Sequence, residues 1–211
     1  MIGIFGGTFD PIHFGHLRCA WEIAELLALR EVRMLPAGQP PHRGAPRASS
    51  AQRRRALELA LEGQSLLTLD TRELDRPGPS YMVDTLTALR AELGTAPLCL
   101  ILGQDAFNGL TGWSRWERIP ELAHLVVITR PGAGQPDTGP LAALVEQRSV
   151  EGLDALRTRP AGKLLFCKVT ALGFSASDIR SLLASGRCPR YLLPDKVLDY
   201  LQRERVYLDQ A

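Results

Sequence analysis

The chain has 211 residues, 45% of them hydrophobic and 23% charged, which suits one sizeable α/β domain, 1–211, and is short for two. Its 25 Lys and Arg are answered by 23 Asp and Glu, leaving a formal net charge of +2. That balance excludes a bulk electrostatic case for a nucleic-acid partner, and no 18-residue apolar stretch is available to enter a membrane.

In chain order, Ile2 to Phe5 is a short apolar run that stops at Gly6-Gly7 and reads as a strand. Leu17, Ala20, Trp21, Ala24, Leu27 and Ala28 then form the apolar stripe of a helix, with Trp21 in the core. Val32 to Leu35 reads as a second strand, 50–62 as a helix stopped by Gly63, and Leu66 to Leu69 as a third strand. Within that helix the run Arg53-Arg54-Arg55 reads as a solvated face. A further helix starts near Ser80, its expected N-cap, with Met82, Leu86, Leu89 and Leu93 on one face and Gly94 just past its end. Leu98 to Leu102 and Leu125 to Thr129 are buried-type strands. Residues 131–162 are rich in Gly, Pro and Ala and read as a surface excursion with one helical stretch near Leu141 to Glu146. Leu164 to Val169 makes a sixth strand, and a small C-terminal helical part over 175–211 holds helices near 176–185 and 195–204.

The four cysteines lie far apart, without CxxC or metal spacing, and Cys99 and Cys167 sit in apolar runs that suit reduced, buried thiols. Met1 leads directly into a strand-like run without a signal-peptide pattern, so the chain is expected to be cytoplasmic. Repeated β-α-β units with buried strands predict a doubly wound, Rossmann-like parallel sheet of about six strands, with helices on both faces. A site is then expected beyond the carboxyl ends of the strands, at the switch point, after Phe5, Leu35, Leu102 and Val169.

The residues that carry chemistry fall in those places. In Gly6-Gly7-Thr8-Phe9-Asp10-Pro11-Ile12-His13-Phe14-Gly15-His16, the glycine pair lets a ligand approach the backbone, and the helix that follows aims its N–H groups at it. His13 and His16, three apart, share one side of that helix start, and two histidines beside a glycine turn point to a phosphate site. A zinc pair is disfavoured because no third ligand stands at suitable spacing. The string is neither a Walker A loop nor GxGxxG. At the other end, Phe174-Ser175-Ala176-Ser177-Asp178-Ile179-Arg180 offers hydroxyls that could cap a helix.

The first string resembles the (H/T)xGH signature of the nucleotidylyltransferase superfamily. The second is similar to that superfamily's I-S-x-T/S-x-I-R motif, with Phe174 and Ser177 in place of the commoner Ile and Thr. Three further stretches are similar to bacterial nicotinate mononucleotide adenylyltransferases: Pro40-Pro41-His42-Arg43, with Arg for the usual Lys; Ser80-Tyr81-Met82-Val83-Asp84-Thr85-Leu86; and Gly103-Gln104-Asp105 followed by Trp113. Tyr191-Leu192-Leu193-Pro194 to Val206-Tyr207 is similar to that family's ending, so the likeness covers nearly all the chain except 131–162.

The resemblance implies transfer of AMP from ATP to nicotinate mononucleotide, with Mg²⁺ held mostly by phosphate oxygens and water. It implies His13, His16 and Arg180 as catalytic residues. Gly6, Gly7, Thr8, Phe9, Gly15, Ser175 and Ser177 would hold ATP, and Arg43, Thr85, Gln104, Asp105 and Trp113 the acceptor, with Trp113 stacked on the pyridine ring. Main-chain N–H groups near Thr85 would meet the nicotinate carboxylate. No dedicated protein metal site, nucleic acid or membrane partner is expected, and a homo-oligomer is compatible with this reading. Phosphopantetheine adenylyltransferase ranks below, since it has Thr where His13 stands and lacks the Ser80–Thr85 and Trp113 elements. A non-catalytic nucleotide-binding or regulatory module on the same fold is an alternative of a different class, and the full set His13, His16 and Arg180 argues against it.

Overall fold

The computed structural model describes residues 1–40, 44–129, 134 and 136–208. Six parallel strands form one sheet in the order β3-β2-β1-β4-β5-β6: β1 (Ile2–Gly7), β2 (Glu31–Pro36), β3 (Leu67–Leu69), β4 (Leu98–Gly103), β5 (His124–Thr129) and β6 (Leu164–Lys168). The chain winds outward from β1 to β3 and then returns to lay β4 against β1, with Phe5 opposite both Met34 and Ile101. That reversal is the switch point where the carboxyl ends of β1 and β4 part.

Alternation along the strands explains why both faces are apolar. Leu98, Leu100 and Leu102 of β4 join one core with Ile2, Ile4, Leu125 and Val127, while Cys99 and Ile101 join the other with Val32, Met34, Val126 and Ile128. The second face is covered by α1 (Phe14–Leu26), α2 (Ser50–Ala60), α9 (Ala176–Ala184) and α10 (Asp195–Arg203). The first lies under α4 (Met82–Leu93), α5 (Gln104–Asn108), α6 (Ile119–Leu122) and α7 (Gly139–Arg148). The short α3 (Arg72–Asp75) follows β3, and α8 (Asp154–Arg157) precedes β6.

Three local expectations change. Ser80 does not cap α4: Tyr81 is the N-cap, and the Ser80 hydroxyl instead accepts from Gly38 N at 2.9 Å and Gln39 N at 3.2 Å. Arg53 is not on a solvated face but is buried, in line with Ala56 and Leu57. The stretch before β6 is more than an excursion, since Leu141, Leu144 and Leu156 are buried in the two cores. Burial raises the thiols of Cys99 and Cys167 to about 12 and about 11, so both stay protonated. Among the described residues no helix is long and apolar enough to cross a membrane.

Candidate active site

The turn after β1 is fixed from several sides. Asp10 is buried, and its carboxylate accepts from Arg47 N at 2.9 Å, Ala48 N at 3.0 Å and Tyr207 Oη at 2.6 Å. Arg53 donates to the carbonyls of Thr8 at 2.9 Å, Ala37 at 2.6 Å and Gly38 at 3.2 Å, so it laces the exit of β1 to the exit of β2. Its burial is offset because main-chain oxygens accept from both Nη groups and the Asp10 charge lies close by.

His13 is the extended N-cap residue of α1 and His16 stands in its first turn. Their rings stack with centroids 3.7 Å apart, inside a chain of aromatic contacts: Phe174 lies 5.3 Å from His13, and Phe9 stands edge-on 5.1 Å from His16. Phe174, the residue that departs from the commoner Ile, thus becomes one wall of the histidine pair. The glycine between the histidines has a steric reason, because a Cβ on Gly15 would stand 2.9 Å from the His13 ring. Burial lowers His13 to about 4 against the opposing pull of Asp178, so the ring is neutral at pH 7.

From the other end, α9 begins in a reciprocal cap: Ser175 Oγ accepts from Asp178 N at 3.3 Å, and Asp178 Oδ2 accepts from Ser175 N at 2.7 Å. Ser177 Oγ accepts from Arg180 Nη2 at 2.9 Å, and Arg180 Nη1 donates to the Asp10 carbonyl at 2.6 Å. His13 Nδ1 and Arg180 Nε are buried without a hydrogen-bond partner. Phe9, His13, Gly15, His16, Arg47, Ser175, Ser177 and Arg180 line one cavity of about 670 Å³.

A second cavity of about 380 Å³ abuts the first, and both include Gly6, Gly7, Thr8, Gly103, Asp105 and Ala106 in their walls. It is largely apolar, with Leu35, Tyr81, Met82, Trp113 and Ile119 among its walls and Glu73 and Ser80 as polar points. Trp113 lines it, and Trp116, three residues on, does not. Thr85 stands behind the wall, fully buried, its hydroxyl donating to Glu73 Oε1 at 2.6 Å. The N–H groups of Asp84 and Thr85 both return to the Tyr81 carbonyl, so the donors a helix start leaves over belong to Met82 and Val83. Gln104 is buried, with its amide on Asn108 Oδ1 at 2.9 Å, and it lies outside the residues lining either cavity. Arg43 lies outside the described residues.

Several residues with a share in the site carry no local signal. Asp10 and Tyr207 meet across the whole chain. Gly38 is pressed so close to Glu73 that a Cβ would run into the Glu73 carbonyl oxygen. Glu73 itself is buried, and its carboxyl is raised by that burial against the Thr85 hydrogen bond. Arg53 had a readable clue, since it shares helical spacing with Ala56, Leu57 and Ala60.

A doubly wound sheet with a glycine turn, a histidine pair and an arginine from the last third of the chain defines a class of nucleotide-handling proteins. The chain belongs to the cytidylyltransferase-like family, which it matches over residues 4–182. Within it, the chain is 51% identical over 208 residues to a probable nicotinate-nucleotide adenylyltransferase of Methylococcus capsulatus, covering 98% of this chain and 99% of that one. It is 52% identical over 196 residues to a protein of the same name from Halorhodospira halophila, covering 93% and 90%. In fold it is similar to the Plasmodium falciparum nicotinic acid mononucleotide adenylyltransferase complexed with NaAD. That likeness has a TM-score of 0.74 at 16% identity and covers 98% of this chain and 96% of that one.

Proposed function

We propose that the protein transfers the adenylyl group of ATP to nicotinate mononucleotide, forming nicotinate adenine dinucleotide and pyrophosphate for NAD biosynthesis, as one catalytic domain over 1–211. The observation that carries this reading is the pair of abutting cavities. One carries most of the polar side chains and is lined by His13, His16 and Arg180; the other is largely apolar and lined by Trp113; and Gly6–Thr8 with Asp105 belong to both. A triphosphate in the first and a pyridine ring in the second would bring two phosphates together along the shared wall.

The acceptor's 5′-phosphate attacks the α-phosphorus. A new P–O bond forms there as the bond to the β-phosphate oxygen breaks, and the electron pair leaves with pyrophosphate. A phosphate monoester has its second pKa at about 6, so at pH 7 the nucleophile needs no general base. The work left is alignment and stabilisation of crowded charge. His13, neutral in the free protein, supplies a ring N–H rather than a positive charge. A phosphate oxygen at His13 Nδ1 and Arg180 Nε would give each of these buried nitrogens a partner. Arg180 and the N-terminal end of α9 face the β- and γ-phosphates, and Ser175 serves chiefly to cap that helix.

In the second cavity Trp113 stacks on the pyridine ring, the N–H groups of Met82 and Val83 at the start of α4 meet the nicotinate carboxylate, and Thr85 engages Glu73 Oε1 at the wall. Among the described residues no group of three His, Cys, Asp or Glu is placed to hold a metal ion. Mg²⁺ would enter with ATP and neutralise phosphate charge during transfer. Arg43, through its positive charge, is taken as part of the acceptor's binding set, and we place the reaction in the cytoplasm.

Pyrophosphate release by the pure protein with ATP and Mg²⁺ tests the reading, with nicotinate mononucleotide, nicotinamide mononucleotide and phosphopantetheine offered in parallel. Strong preference for the nicotinate compound is expected. Preference for another acceptor would keep the chemistry and overturn the roles of Met82, Val83 and Trp113.

A further inference from the structure

The turn that carries His13 is held by a residue 197 positions away. Tyr207 Oη donates to Asp10 Oδ1 at 2.6 Å in a buried setting. The same Oδ1 takes Ala48 N, while Oδ2 takes Arg47 N. The Asp10 carbonyl takes Arg180 Nη1. Asp10 therefore joins three pieces of the phosphate-side cavity: the turn itself, the 44–47 segment that lines its rim, and α9.

Both ends of this link sit in costly backbone. Phe9, next to Asp10, has φ 48°, and Arg205 and Tyr207 have φ 51° and 72°. Side chains persist in the left-handed region when their surroundings over-determine them, and such residues cluster at functional sites. Here Val206 and Tyr207 are buried beside α10 and aim the hydroxyl inward. Burial and the Asp10 charge keep that hydroxyl protonated, hence a donor, at any working pH.

We propose that Tyr207 is a positioning residue for the nucleotide: acting through Asp10, its hydroxyl fixes the turn and the 44–48 segment so that His13, Arg47 and Arg180 close on one triphosphate. This rests on reading the larger cavity as the ATP site. Helix α10 and the residues after it are then part of the catalytic apparatus without touching substrate, because they set the angle of the Asp10 carboxylate and so the spacing between the cavity's walls.

Tyr207→Phe removes one oxygen and leaves the packed ring. The expected result is a rise of about five- to tenfold in the ATP dissociation constant and in the KM for ATP. kcat should fall severalfold, while the KM for nicotinate mononucleotide stays within about twofold. A merely structural role would lower kcat in step with the folded fraction and leave both KM values alone; that result overturns the proposal. A second test uses Asp10→Asn: if Tyr207 acts through Asp10, Tyr207→Phe costs less in that background than in the wild type. Additive costs would refute the route. Calorimetric ATP binding separates this inference from the functional one. A wild type that binds ATP but transfers nothing sinks only the assigned reaction, and equal ATP affinity in wild type and Tyr207→Phe sinks only the role of Tyr207.

Discussion

The two cavities that meet at Gly6–Thr8 and Asp105 draw on different parts of the chain. The phosphate-side cavity takes its polar groups from the turn after β1, the 44–47 segment and the start of α9, and Asp10, Arg53 and Tyr207 hold these together over long sequence distances. The acceptor-side cavity is framed by the ends of β2 and β4 and by residues 73–82, with Ser80 pinning the 38–39 peptides and Thr85 pinning Glu73. On the proposed reading, the triphosphate is met by backbone, histidine and arginine, and the acceptor by an apolar slot bordered by a few hydroxyls. Damage to the first should stop chemistry with any acceptor; damage to the second should change which acceptor is used.

The largest effect should come from His16. His16→Ala is expected to lower kcat by on the order of 10² or more with only modest loss of ATP affinity, because the ring is needed most where charge builds up in the transition state. Single-turnover and ATP-binding measurements on one preparation check this. Near-normal turnover would remove His16 from the mechanism and dissolve the contrast between the cavities.

Trp113→Ala sharpens the comparison from the other side. Loss of one stacking partner should raise the KM for nicotinate mononucleotide by about tenfold, about 1.4 kcal/mol, with the KM for ATP unchanged. Steady-state kinetics with each substrate varied in turn decides it. An equal rise in both constants would mean that Trp113 supports the shared wall rather than the acceptor.

How much of this was legible depended on how local the cause is. The strands and the longer helices could be read because period and glycine punctuation act within a few residues, as at Ile2 to Gly7 and Leu98 to Gly103, whereas the four- and five-residue helices α3, α5, α6 and α8 are too short to show a period. A switch point was expected from general rules for α/β sheets, but its place between β1 and β4 depends on strand order, which no local pattern carries. The histidine pair was visible as a string, but the lowered proton affinity of His13 was not, since it comes from Phe174 and the folded cavity around the ring. Ser80 read as a cap because a serine before an apolar stripe is the local signature; its partners at Gly38 and Gln39 lie about forty residues away. Arg53 was masked by its neighbours Arg54 and Arg55, although the helical period already placed it on the buried side with Leu57.

The cavities should also answer acid in opposite directions. His13 is lowered to about 4 from its ordinary 6.5, so between those values the native protein binds fewer protons than the unfolded chain. Its contribution to stability is present above pH 6.5 and is lost as pH falls toward 4, at up to about 1.4 kcal/mol per pH unit. Glu73 is raised above its ordinary 4.5, so its contribution is present below that value and is lost as pH rises through the folded value. His124, buried between the Arg159 carbonyl and Lys163 N at the far end of β5, is lowered like His13 and adds to the acid-side slope without touching either cavity. Urea unfolding of wild type, His13→Gln and Glu73→Gln from pH 4 to 7 separates these terms. His13→Gln should flatten the rise of stability with pH, and Glu73→Gln should steepen it. ATP adds a second signature, because a phosphate at the His13 ring favours the protonated form and should shrink the His13-dependent slope while leaving the Glu73-dependent one alone. Parallel curves for all three proteins would mean that neither group is held in the ionisation state its burial dictates. The neutral state of His13 would then owe nothing to burial, and a bound phosphate could draw a proton onto the ring near neutral pH.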